Sequence, residues 1–219
     1  MPERRTVEVD GKQVRLLVGG SGPPLLYLHG AGADVEWLEA HDRLAARFTV
    51  HLPAHPGFDE STGLEQVDGK FDYVLHYVDL LDTLRLGAVP VVGTSLGGWV
   101  AAELAEHPLA QMMRAMTPTA IAEVPEAFAY AQLKALEASA KIGWNPYLHD
   151  PKLERRLRRV RARTLVLWGR QDGLVPLVYG ERYRARIPGA VLEVLDRCGH
   201  LPPIERPAEF AEAVLRFLQ

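Results

Sequence analysis

The chain has 219 residues, 47% of them hydrophobic and 24% charged, the balance of one globular domain with room for a large core. Lys and Arg number 25 against 28 Asp and Glu, a formal net charge of −3, so no basic surplus exists to grip a nucleic-acid backbone. The only cysteine, Cys198, cannot close an internal disulfide or build a cysteine metal centre. Residues 1–10 are charged and poor in apolar side chains, unlike a signal peptide. The apolar runs at 25–28, 89–92 and 164–168 fall far short of the roughly 20 residues a bilayer needs. The expectation is a cytoplasmic protein with a small-molecule substrate and neither nucleic acid nor membrane as partner. Its oligomeric state is left open.

In chain order, residues 6–9 and 14–18 flank Asp10-Gly11-Lys12, a hairpin signal. Residues 25–28 are continuously apolar, as in a strand buried on both faces. A helix over 36–46 and a strand over 48–52 follow, then a loop over 53–70. Val74, Leu75, Val78, Leu81 and Leu84 recur at helical spacing within 71–86. Residues 89–92 read as a strand and 99–106 as a helix. The last third repeats the alternation: strands at 164–168 and 191–195, helices at 177–186 and 207–218, with Pro207 suited to a first helical turn. Strands alternating with helices predict an α/β fold, a doubly wound and mostly parallel sheet. The middle breaks the rhythm. Residues 126–141 should be helical, and the basic run of Arg155, Arg156, Arg158, Arg159, Arg161 and Arg163 reads as a solvated helix face.

Gly93-Thr94-Ser95-Leu96-Gly97 fits Gly-x-Ser-x-Gly between a strand and a helix. The tight turn excludes bulky neighbours two places either side of the serine and lifts its hydroxyl over the helix start. With four serines and 19 glycines, a chance match has a probability of roughly 0.03 before the strand–helix context is demanded. A phosphate loop would require Gly-Lys-Ser/Thr, which is absent. Of the three histidines after Ser95, only His200 follows the last strand, in Cys198-Gly199-His200-Leu201. Asp172 follows a buried strand, in Gly169-Arg170-Gln171-Asp172-Gly173, at the strand end where such folds build sites. The order Ser, Asp, His suits a nucleophile, an orienting acid and a base. Leu28-His29-Gly30-Ala31-Gly32 supplies small residues whose N–H groups approach an oxyanion. The expected donors are the N–H groups of Ala31 and Leu96, with His29 holding the loop.

These four motifs resemble those of α/β-hydrolase-fold enzymes, the group of carboxylesterases, C–C bond hydrolases and cofactor-free haloperoxidases. The resemblance implies Ser95 as nucleophile, His200 as base, Asp172 as acid and no cofactor or metal. The family loop Asp-x-Pro-Gly-x-Gly-x-Ser is altered here, with Ala54 and Asp59 in place of Asp and Gly. The hydrolase core is expected over 1–108 and 160–219, with a short, incomplete helical lid over 109–159. No β-branched run follows His107, so a break or disordered segment is expected between His107 and Met112. A poor strand within 112–117 is the alternative. Substrate contacts are expected from Gly30, Trp99, Leu174 and Leu201, and from the lid residues Phe128 and Trp144. The resulting expectation is ester cleavage through an acyl-enzyme. C–C bond hydrolysis of ring-cleavage products and non-catalytic or slow ligand binding are the alternatives.

Overall fold

In a computed structural model, which describes residues 1–32, 34–104, 113–116, 150 and 152–219, the alternating pattern becomes one eight-stranded sheet. The chain opens with a hairpin of β1 (Glu3–Val9) and β2 (Lys12–Gly19), antiparallel, with Glu3 opposite Val18 and Val9 opposite Lys12. Asp10 and Gly11 both take positive φ, 49° and 76°, as a two-residue turn matched to strand twist requires. The remaining strands are β3 (Pro24–Leu28), β4 (Thr49–Pro53), β5 (Val91–Thr94), β6 (Met113–Met116), β7 (Leu165–Gly169) and β8 (Val191–Leu195). Their order is β1-β2-β4-β3-β5-β6-β7-β8. β2 meets β4 antiparallel, and every pairing from β4 onward is parallel.

The helices are α1 (Glu39–Ala45), α2 (Lys70–Thr83), α3 (Leu96–Leu104), α4 (Leu153–Arg156), α5 (Val178–Arg186), α6 (Pro202–Glu205) and α7 (Pro207–Leu218). Side chains alternate across a strand, so β3 serves two cores. Leu26 and Leu28 pack with Tyr73 and Tyr77 of α2 and Val100 and Leu104 of α3. Leu25 and Tyr27 pack on the other face with Leu44 of α1 and Phe210 and Val214 of α7. From β3 the chain crosses to β4 on one side, and α2 then returns it to β5 on the other. The carboxyl ends of β3 and β5 therefore flank a switch point, where open α/β sheets leave a crevice.

Several element bounds differ from expectation. β5 begins at Val91, because Pro90 has no N–H for the ladder and contributes only its carbonyl, to the N–H of Leu26. The sheet also takes in Met113–Met116, within the segment read as lid, with Met113 opposite Val91 and Ala115 opposite Val166. The poor-strand alternative fits this pairing. Two flanking ladders fix the strand where its composition is weak, an instance of tertiary context overriding β propensity. Residues 107–112, where a break was expected, lie outside the described residues, as do the predicted helix at 126–141 and the lid candidates Phe128 and Trp144.

Candidate active site

Ser95 sits between β5 and α3 at φ 50°, a left-handed value that a residue with a Cβ adopts only under constraint. The flanking glycines supply that constraint. A Cβ on Gly93 would meet the Gly97 carbonyl oxygen at 2.4 Å, and one on Gly97 would meet the Leu28 oxygen at 2.1 Å. Only glycines let the turn nest against the end of β3. The N–H of Gly97 donates to the His29 carbonyl at 3.1 Å, locking the serine turn to the β3 loop.

Two loops knit together beside it. A Cβ on Gly169 would lie 1.9 Å from the Gly199 oxygen, so glycine is required where the loop after β7 meets the loop after β8. The N–H of Gln171 donates to the Cys198 carbonyl at 2.8 Å, and the Gln171 side chain accepts from the Cys198 N–H at 3.0 Å. Glu205 of α6 accepts from the N–H groups of Gly199 and Leu201, both at 2.8 Å. This frame brings His200 Nδ1 to 2.9 and 2.8 Å from the two oxygens of Asp172. His200 Nε2 then lies 3.3 Å from Ser95 Oγ. A proton on Nδ1, donated to the carboxylate, leaves Nε2 free to accept from the serine. Burial pushes the His200 imidazole down to about 4, so the ring is neutral at pH 7. Burial raises the Asp172 carboxyl, opposed by hydrogen bonds from the N–H groups of Val175 and Leu174.

Across from this row stands the β3 loop. His55 and His29 sit beneath it with ring centroids 3.9 Å apart, both fully buried. His29 Nε2 accepts from the N–H of His55 at 2.9 Å, so Nδ1 carries the proton and donates to the Gly30 carbonyl. His55 Nε2 donates to the His29 carbonyl at 2.7 Å, and its Nδ1 accepts from the Tyr77 hydroxyl. Each tautomer is thereby fixed, and His29 holds the loop as expected. The N–H groups of Ala31 and Leu96 have no hydrogen-bond partner among the described residues; Leu96 opens α3, where helix N–H groups are unpaired.

The other expected contacts divide. Gly30 abuts Ser95, whose Cβ lies 3.3 Å from where a Gly30 Cβ would stand. Leu174 and Leu201 ride on the acid and base loops, and Leu174 is 71% exposed. Trp99 is half-buried on α3, and its indole N–H donates to Glu103 at 3.2 Å. Arg156 binds the same carboxylate through both Nη atoms and also reaches Asp150, so Trp99 belongs to a packed polar hub as well. The altered loop after β4 finds its own solution. Asp59, where the family usually has Gly, takes φ 47° and accepts from buried Arg15 at 2.5 Å. Sequence reading did not single out Asp34, His55, Gln171 or Glu205. Asp34 and Glu205 each lie within a few residues of a motif and cap its N–H groups, which is the only signal that could have found them. Among the described residues, no cluster of three His, Cys, Asp or Glu side chains could hold a metal ion, and no helix is long and apolar enough to cross a membrane.

Comparison with known proteins agrees with this architecture. A 2-hydroxymuconate semialdehyde hydrolase of Pseudomonas sp. is 27% identical over 98% of this chain and 93% of its own. That alignment spans 265 residues, so the relative carries stretches that this chain lacks. A serine hydrolase involved in carbazole degradation shares the fold with a TM-score of 0.86 at 23% identity, covering 100% of this chain and 99% of its own. Carboxylesterase CesB of Bacillus subtilis does so with a TM-score of 0.79 at 17% identity, covering 100% and 92%. The α/β hydrolase family matches residues 25–213, and the chain belongs to that family.

Proposed function

We propose that the protein is a serine hydrolase that cleaves carboxylic esters through an acyl-enzyme. The observation that carries this reading is the unbroken hydrogen-bonded row from Ser95 Oγ through His200 to Asp172. In this reading His200 Nε2 takes the Ser95 proton as Oγ attacks the ester carbonyl. Asp172 holds the ring in the required tautomer and stabilises its cation. The N–H groups of Ala31 and Leu96 receive the oxyanion, and α3 adds the positive end of its dipole. His200 then protonates the departing alcohol, and water, activated by the same ring, releases the acid. Leu174 and Leu201 offer apolar surface to the acyl group.

A second reading, hydrolysis of a C–C bond in a ring-cleavage product, is favoured by the 27% identity to the Pseudomonas hydrolase over nearly the full length of both chains. The same row serves either bond. A fluorophosphonate probe should label Ser95, and a short-chain p-nitrophenyl ester should turn over in wild type and not in Ser95→Ala. Labelling elsewhere, or turnover surviving Ser95→Ala, overturns the covalent route. Turnover of 2-hydroxymuconate semialdehyde far above that of any ester in a chain-length series would select the second reading.

A further inference from the structure

Asp34 lies in the loop after β3, four residues beyond Gly30. It has no exposed surface and no ion-pair partner among the described residues. Its Oδ1 accepts from the N–H of Gly30 at 2.8 Å, and its Oδ2 is buried with no well-formed hydrogen bond among the described residues, although the Thr94 hydroxyl faces the carboxyl. The position a Cβ on Gly30 would take is 3.0 Å from Asp34 Oδ1 and 3.3 Å from Ser95 Cβ. The carboxyl is therefore at most about 6 Å from the serine, with only Gly30 between.

We propose that Asp34 is a positioning residue of the hydrolytic site, a neutral carboxylic acid that pins Gly30 in the oxyanion loop and opposes attack when it ionises. The inference rests on the serine-hydrolase reading above. A proton on Oδ2 leaves the buried group uncharged and Oδ1 free to accept from Gly30, with the Thr94 hydroxyl as the side chain in hydrogen-bonding contact with this carboxyl. Loss of that proton puts an unpaired negative charge beside the atom where attack creates another. At ~7 Å and an effective dielectric near 20, the repulsion slows attack roughly ten- to hundredfold.

The surroundings leave this titration to Asp34. β3 contributes Tyr27, whose phenol burial pushes well above its ordinary range, and His29, which burial pushes well below its own. α1 contributes His41, lowered by burial to about 3 and stacked edge-on against Tyr27. β5 contributes the neutral Thr94, whose hydroxyl meets that of Tyr27 at 2.7 Å. β2 contributes Arg15, whose guanidinium bonds Asp59 and the Val35 carbonyl. Burial raises Asp34 itself to about 7, inside the range from pH 6 to 9, whereas it moves Tyr27 above that range and His29 and His41 below it.

The test is kcat for p-nitrophenyl butyrate from pH 6 to 9, alongside the rate of Ser95 labelling by a fluorophosphonate. Wild type, Asp34→Asn and Asp34→Ala are compared. Wild type should lose tenfold or more in both rates across this range. Asp34→Asn keeps the acceptor for Gly30 without the charge, so its profile should stay level. Asp34→Ala lacks the acceptor too and should have low kcat at every pH, with KM little changed. A level wild-type profile, an Asp34→Asn profile parallel to wild type, or an Asp34→Ala as fast as Asp34→Asn each overturns the proposal and leaves the hydrolase reading standing. No labelling of Ser95 in any of the three proteins overturns both.

Discussion

Acid should unfold this protein steeply, and the cause is its buried histidines. His29, His41, His55, His76 and His200 are 6% exposed or less. Burial holds all five below the ordinary imidazole range: His41 and His55 to about 3, His76 and His200 to about 4, and His29 well below 6.5. In the unfolded chain each binds a proton near pH 6.5. Between pH 6.5 and about 4 the unfolded state therefore carries more protons, and stability falls as pH falls. Asp34 works the other way. Its folded value, about 7, lies above its unfolded one, so folding gains stability as pH drops through 7. His51, lowered by burial, and Asp172, raised by burial, act on this balance in opposite directions. From these five histidines and Asp34, the net excess on the unfolded side is between three and four protons near pH 5.5, a slope of about 4–5 kcal/mol per pH unit. From pH 7 to 5 the loss is about 7 kcal/mol, comparable to the whole stability of a typical domain.

The assay is urea unfolding at pH 7, 6 and 5, followed by tryptophan fluorescence and far-UV circular dichroism. His76 provides a control, because neither ring nitrogen has a hydrogen-bond partner among the described residues. His76→Phe should lower the slope by about one proton, or ~1.4 kcal/mol per pH unit. A total change under about 2 kcal/mol between pH 7 and 5 would refute the reasoning. The corollary concerns catalysis. With His200 as the proposed base, its titration near 4 lies below the pH at which the fold gives way, so loss of activity in acid should coincide with unfolding.

Two further outcomes test the packing around the site. Gly97→Ala sets a Cβ 2.1 Å from the Leu28 oxygen, a backbone atom that cannot swing aside. It should cost at least ~2 kcal/mol and abolish Ser95 labelling, and a variant labelled at the wild-type rate would contradict the nested turn. Asp59→Gly restores the family's usual residue and relieves a left-handed Asp, worth ~1 kcal/mol or less, yet strips buried Arg15 of its carboxylate. The loss should win by ~2 kcal/mol, so urea unfolding should show the family-like variant to be less stable, and a more stable one would refute the pairing.

Much of the fold was legible because its signals are local. The apolar runs at β3 and β7, the Asp10-Gly11 turn, and the glycines around Ser95 each specify an element within a few residues. The row Ser95, His200, Asp172 was legible for a related reason. Each residue follows a buried parallel strand, and topology brings those strand ends together. β6 was only weakly legible, because its pairing comes from β5 and β7 and not from its own residues. The short helix α6 was missed, its Leu-Pro-Pro sequence reading as loop although Pro is suited to a helix's first positions.

What the sequence concealed was the layer that holds the loops. Asp34, His55, Gln171 and Glu205 are polar residues in segments that read as ordinary loop, and each binds a backbone N–H or carbonyl of a loop at the site. A loop buried at a sheet's end cannot leave its N–H and C=O groups unpaired, since each such group costs about 1–3 kcal/mol. Side chains must therefore reach in, but which ones do so depends on how the loops pack. His55 illustrates the point. It stands in the altered loop after β4, beside the residue where the family usually places Asp, and reaches both the His29 carbonyl and Tyr77 of α2. No spacing within residues 53–61 announces that reach, because both partners come from other elements. The departure from the family pattern at Ala54 and Asp59 thus leaves the support of the loop after β3 intact: the work falls to His55 on one side of that loop and to Asp34 on the other.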